Sequence, residues 1–282
     1  MSTTLGDAGG LPVLRIERKL AHPREKVWRA VTEPAQLSQW FPFHVAEMDL
    51  QVGGKIRFET GDGTATDAVV TELDPPRVFA FTQQPLAQMP REGENTIHIE
   101  LLPREGGCLL VFTQTFHDRP AAASYASGWH TCLDVMETIL DGGPARLPEG
   151  NFPELHQSYI EDLGLREGAA ERGPDGWRVR FERQLTRPAE DVWRAAGGAS
   201  ARVGEPAPEG FCDGRAHGPV VKAEEPALLE FAYGGGRVRW ELSPGTGHGA
   251  RLVVTETGLA DPDPALVSWR ERIEALAKGL LP

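Results

Sequence analysis

"RIERKLAHPREKVWRA", residues 15–30, returns further along the chain as "RFERQLTRPAEDVWRA", residues 180–195. The two copies agree at ten of sixteen positions, namely Arg15, Glu17, Arg18, Leu20, Pro23, Glu25, Val27, Trp28, Arg29 and Ala30. Three later blocks recur in the same order. "VVTELDPPRVFAF" (69–81) returns as "VVKAEEPALLEF" (220–231), and "IHIELLPREGGCLLVFTQT" (97–115) as "VRWELSPGTGHGARLVVTET" (238–257). "GWHTCLDVMETIL" (128–140) has a partner in "SWRERIEALAKGL" (268–280). A period of this length is too long for a solenoid and reads as one domain written twice.

Each block has a local physical reading. In "LRIERKL" the residues Leu14, Ile16 and Arg18 alternate with Arg15, Glu17 and Lys19, the period-two pattern of a half-covered strand. Pro23 then opens a helix, where proline is tolerated in the first turn and Glu25 suits the positive end. "PAQLSQWF" is a second short helix. Strand-like runs separated by glycine and proline turns follow, from "VAEMDLQ" to "CLLVFTQTF". Trp129, Leu133, Met136 and Leu140 then form one apolar stripe on a long helix. The order is strand, two helices, an antiparallel meander and a closing helix. Such a sheet needs something on its inner face, and the closing helix is the element available to cover it.

This order, with "PREKVWRAVTEPAQLSQWF", "VGGKIRF", "VVTELDPPRVFAFT", "TIHIELLPREGG" and "GWHTCLDVMETIL", resembles the START-like (SRPBCC) superfamily. Within it the motifs are most similar to the family named after the activator of the heat-shock-chaperone ATPase. The resemblance implies an α+β helix-grip fold. A curved antiparallel sheet wraps a long C-terminal helix and encloses a hydrophobic cavity. It also implies binding of a small apolar molecule. Two departures stand out: Gly107-Cys108 where the family often has Gly-Thr, and Gln114 where it often has a histidine. Gln114 removes a titratable group from a strand that could face the cavity.

The second copy is shortened. From Ala30 to Val70 the first spends forty residues, and from Ala195 to Val220 the second spends twenty-five. The stretch that replaces them is rich in glycine, alanine and proline, so at least one strand is expected to be missing and the pocket to close poorly. The expected organisation is a complete START-like domain over 11–166, a polar linker over 167–176 and a reduced domain over 177–282. The second domain is expected to be a structural partner, with intramolecular pairing of the two held at high effective concentration by the fusion.

The ligand-binding candidates are Trp40 and Phe41 on the short helix, Phe58, Phe79, Phe81, Ile97 and Ile99 on strands, and Trp129, Leu133 and Met136 on the closing helix. Aromatics beside methionine suit an adaptable pocket and equally suit a filled core. His98 and Glu100 share the strand face opposite Ile97 and Ile99. Were that face the inner one, they could orient a ligand or exchange a proton with it.

The formal net charge of −12 argues against nucleic acid and against an anionic membrane surface. No apolar run approaches the length of a membrane span, and "MSTTLGDAGG" does not read as a signal peptide. Cys108, Cys132 and Cys212 read as buried free thiols of a reducing compartment, so a cytoplasmic location is expected. No nucleophile motif, phosphate loop or metal-ligand spacing is written in the chain, so no metal or cofactor is expected. The leading expectation is binding of a small hydrophobic molecule in the first domain, more a binder than an enzyme. The alternatives are a cyclase or hydrolase of polyketide-like substrates in the same cavity, and a co-chaperone-like interaction module.

Overall fold

The computed structural model describes residues 1–61, 63–85, 93–146, 152–215 and 217–282. The chain is α+β and divides into two compact units, Met1–Gly150 and Asn151–Pro282.

The first unit contains strands β1 (Ser2–Ala8) and β2 (Leu11–Leu20), helices α1 (Arg24–Thr32) and α2 (Pro34–Leu37), and strands β3 (His44–Met48), β4 (Lys55–Glu59), β5 (Ala65–Asp74), β6 (Val78–Gln83), β7 (Asn95–Arg104) and β8 (Gly107–Thr115). The long helix α3 (Ala122–Leu140) closes it. All eight strands form one antiparallel sheet in the order β1-β2-β8-β7-β6-β5-β4-β3. Alternation sends Leu14 and Ile16, Ile56 and Phe58, Phe79 and Phe81, Ile97 and Ile99, and Leu110 and Phe112 into the core. Each such burial contributes roughly 1.5–3 kcal/mol. α3 packs on this inner face. The Trp129 ring lies 4.5 Å from Phe112 of β8. Arg18 of β2, on the face of Leu14 and Ile16, reaches α3: its Nε donates to Glu137 at 2.8 Å and its Nη2 pairs with Asp134 at 2.5 Å. Where β8 begins, Gly107 passes so close to β2 that a Cβ there would lie 2.0 Å from the Leu20 carbonyl oxygen.

The second unit contains α4 (Phe152–Asp162), β9 (Ala169–Gly173), β10 (Gly176–Leu185), α5 (Ala189–Ala195), β11 (Val220–Glu224), β12 (Leu228–Tyr233), β13 (Gly236–Pro244), β14 (Ala250–Leu259) and α6 (Asp263–Gly279). Its antiparallel sheet runs β11-β12-β13-β14-β10-β9. This is the order of β5-β6-β7-β8-β2-β1, and among the described residues no strand stands where β3 and β4 do. Gly249 repeats the tight passage of Gly107, with a built Cβ 2.0 Å from the Leu185 carbonyl oxygen. Trp193, Phe211, Trp240 and Trp269 form a continuous chain of ring contacts through the core at 5.1, 5.0 and 6.0 Å.

The expected domain limits differ from these units. Residues 167–176 are not a linker: they hold β9, which pairs with β10 from Ala169↔Arg180 to Gly173↔Gly176. β9 is an edge strand held by backbone bonds, with only Ala170 half-buried, so it carries no apolar alternation. β1 escaped the sequence reading for the same reason. The tail "FPELHQSYIEDLG", assigned to the first domain from sequence, forms α4 and bonds within the second unit. Arg183 of β10 donates to Gln157 Oε1 at 2.6 Å, and Gln157 donates to Glu274 of α6 at 3.1 Å. The three cysteines are free and buried. Among the described residues no helix is long and apolar enough to cross a membrane.

Candidate ligand cavity

A cavity of about 150 Å³ opens in the first unit between α3 and the inner face of the sheet. α3 contributes Ser124, Tyr125, Gly128, Trp129 and Cys132. β6, β7 and β8 contribute Gln83, Asn95, Ile97 and Gln114, and Gln84, Pro42 and Phe43 complete the lining.

The sheet explains why a cavity lies here. On β7 the inner positions run Leu101, Ile99, Ile97, Asn95, and on β8 they run Leu110, Phe112, Gln114. Both rows are apolar in the body of the sheet and end in a carboxamide. Asn95 is 8% exposed and Gln114 2%. Buried amides need partners, and they find them in a short relay. The Trp129 indole Nε1 donates to Gln114 Oε1 at 2.7 Å, and Gln114 Nε2 donates to Asn95 Oδ1 at 3.3 Å. Gln114 therefore fixes the Trp129 ring at the cavity wall. Gly128 holds the space open from the helix side, since a Cβ added there meets no atom within 4 Å. Glycine inside a helix costs about 1 kcal/mol relative to alanine, so its position over a void is informative.

The ten apolar candidates separate. Ile97 and Trp129 line the cavity. Phe41, Phe58 and Phe81 back it: Phe41 lies 5.4 Å from Trp129, stacks on Phe58 at 5.0 Å, and Phe58 meets Phe81 at 5.7 Å. Trp40, Phe79, Ile99, Leu133 and Met136 are buried in the packed core and are not part of the lining. The Trp40 indole is spent on the Ala30 carbonyl at 2.8 Å, which ties the segment after α2 to α1. Leu133 and Met136 sit one and two turns beyond Trp129, where helix and sheet have closed together.

The two polar candidates lie outside the cavity. His98 and Glu100 face away from α3, because Ile97 and Ile99 take the inner positions. His98 Nε2 lies 3.6 Å from Glu72, and Arg77 donates to Glu100 at 3.2 Å, both on the outer face. Among the described residues the lining contains no carboxylate, histidine, lysine or arginine. Burial pushes the Cys132 thiol up to about 12, so it is held protonated at neutral pH. No group of three possible metal ligands occurs among the described residues.

Sequence reasoning missed Pro42, Phe43, Gln83, Gln84, Asn95, Ser124, Tyr125, Gly128 and Cys132 as lining residues. Two signals were present: a glycine in the interior of a long helix, and an amide ending an apolar alternation.

Residues 21–141 match the family described as Activator of Hsp90 ATPase homolog 1-like protein. The match lies within the first unit and supports the superfamily resemblance there. No curated protein matches the chain. Among solved structures, a protein from Mesorhizobium loti is similar at 25% identity, covering 46% of this chain and 97% of its own, with a TM-score of 0.42. A conserved protein of unknown function from Enterococcus faecalis is similar at 21% identity, covering 57% and 90%, with a TM-score of 0.48. CalU16 from Micromonospora echinospora is similar at 16% identity, covering 58% and 94%, with a TM-score of 0.46.

Proposed function

We propose that the first unit binds a small hydrophobic molecule in the cavity under α3, as a carrier, sensor or sequestering protein. The observation that carries this reading is a largely apolar cavity walled by Trp129, Ile97 and Phe43 and kept open at Gly128. A packed core would close such a space, because voids forfeit contact energy. The enzyme reading has less support, since its acid–base pair was His98 and Glu100, which lie on the other face of the sheet.

On the same reading the second unit is a shortened copy whose equivalent space is used up internally. Trp269 and Glu256 repeat the Trp129–Gln114 contact at 2.6 Å. Arg215 fills the space in front of them, 2.6 Å from Glu256 and stacked 4.7 Å over the Tyr233 ring.

Gly128→Leu tests the proposal. It plugs the cavity from the helix side without meeting a neighbouring atom at Cβ, and it removes a helix-interior glycine. In a thermal-shift screen against neutral lipophilic compounds, the unmodified chain should show hits. The variant should be as stable or more so without ligand and should lose those hits. Equal responses from both chains would place binding elsewhere.

A further inference from the structure

We propose that the cavity selects uncharged ligands, and that Gln114 is the anchor for a carbonyl, amide or hydroxyl group on an apolar body. The inference deepens the binding reading and rests on it.

Three observations lead here. The first is the charge of the lining. Its polar groups are the amides of Gln83, Gln84, Asn95 and Gln114 and the hydroxyls of Ser124 and Tyr125, with no charged side chain among the described residues. Glu94, which accepts from Gln84 at 2.6 Å, is exposed and outside the lining. Among these described residues an ion entering the site would lose its hydration without gaining a counter-ion, which costs several kcal/mol.

The second is the bonding capacity of Gln114. A carboxamide carries two N–H donors and two carbonyl lone pairs. Gln114 uses one of each, toward Asn95 and Trp129. One donor and one acceptor are left on a side chain 2% exposed and set in the cavity wall. A ligand carbonyl can take the N–H, and a ligand hydroxyl or amide can give to the oxygen.

The third is a comparison the chain makes with itself. Counting through the recurring block, Gln114 on β8 corresponds to Glu256 on β14, and Trp129 on α3 to Trp269 on α6. The indole makes the same bond in both units, at 2.7 Å to the amide and 2.6 Å to the carboxylate. Where the acceptor is an anion, the occupant is a cation: the Arg215 guanidinium pairs with Glu256 and is braced by Asp213 and the Tyr233 ring. The side chain at this position thus sets the charge of what lies before it. Glutamate holds a guanidinium, and glutamine holds a neutral group.

Benzamide, benzamidinium and benzoate share one shape and differ in charge, and toluene supplies the apolar body alone. Their affinities for the full chain are measured at neutral pH by ligand-observed NMR. Benzamide should bind, with both ions at least about tenfold weaker. In Gln114→Glu the order should invert in favour of benzamidinium. In Gln114→Met, which introduces no charge, toluene should still bind and the preference for benzamide over toluene should disappear. Either ion binding as well as benzamide, or a preference unchanged in Gln114→Met, overturns the proposal. Toluene binding while the three polar probes do not overturns the anchor and leaves the cavity a purely apolar site. No binding by any of the four, with no lipophilic hit sensitive to Gly128→Leu, overturns both this inference and the reading beneath it.

Discussion

Lowering the pH should weaken the second unit through one buried histidine. His156 on α4 is 1% exposed, and its ring meets His248 at 5.0 Å. Burial, then His248, then Arg183 lower its pKa from 6.5 to about 3. The folded unit therefore holds this ring neutral while the unfolded chain protonates it, so between those values the unfolded state binds the extra proton. The stabilising contribution is whole above pH 6.5 and is lost progressively as pH falls toward 3. From pH 7 to pH 5 the loss is about 2 kcal/mol, roughly a thirtyfold change in the opening equilibrium. His248, also lowered by burial, acts in the same direction. The assay is hydrogen exchange by mass spectrometry at the two pH values, corrected for intrinsic rates and read on peptides from β10 and β14. His156→Gln keeps a polar side chain and removes the titration, so its protection should change much less with pH. Equal protection of β10 and β14 at both pH values, or a His156→Gln chain as pH-sensitive as the unmodified one, would refute the reasoning.

Arg18→Met removes the ties from β2 to Asp134 and Glu137 while keeping the stem. It should cost about 2 kcal/mol in urea unfolding of the first unit, since hydrogen bonds to charged groups are worth about 1.5–3 kcal/mol. The Cys132 thiol, held protonated at neutral pH, should react slowly with small alkylating reagents, and slower still with a ligand bound in the cavity. Trp129→Phe keeps an aromatic side chain but replaces the indole with a smaller ring and deletes its donor, leaving the Gln114 carbonyl short of a bond. It should lower stability by about 1–3 kcal/mol and weaken ligand binding in the same measurement series.

The fold was largely legible because its signals are periodic. Alternation in "LRIERKL" and in the block from Ile97 to Leu101 marked strands and grouped the residues that share a face, but not which face is the inner one. The stripe from Trp129 to Leu140 marked the helix that covers them. Legibility failed where pairing uses mainly the backbone: β1 and β9 are edge strands in which Leu5 is the one large apolar residue, and nothing in "AAERG" distinguishes a strand from a linker. α4 was not read as an element from the sequence, and the unit it bonds to depends on Arg183 meeting Gln157, which no local pattern reports. The site was legible in part. Trp129 and Ile97 were found because large apolar residues on inner faces are the obvious candidates. Most others of that kind, such as Met136 and Phe79, fill the core, because the same chemistry serves packing and binding. What sets the cavity apart from the core is the exceptions to apolar patterning: a glycine at 128 and amides at 95 and 114. His98 and Glu100 were drawn in by their chemistry, yet the one-residue offset from Ile97 places them on the opposite face.

The central claim is that the first unit encloses a working cavity under α3. Native mass spectrometry of the purified full-length chain tests it most directly, with the unmodified chain and Gly128→Leu prepared side by side and mildly extracted. The account predicts a small uncharged molecule retained by the unmodified chain, or taken up from a neutral lipophilic mixture, and absent from Gly128→Leu at equal folded content. A bound mass carried equally by both chains, or none acquired by either, would contradict it.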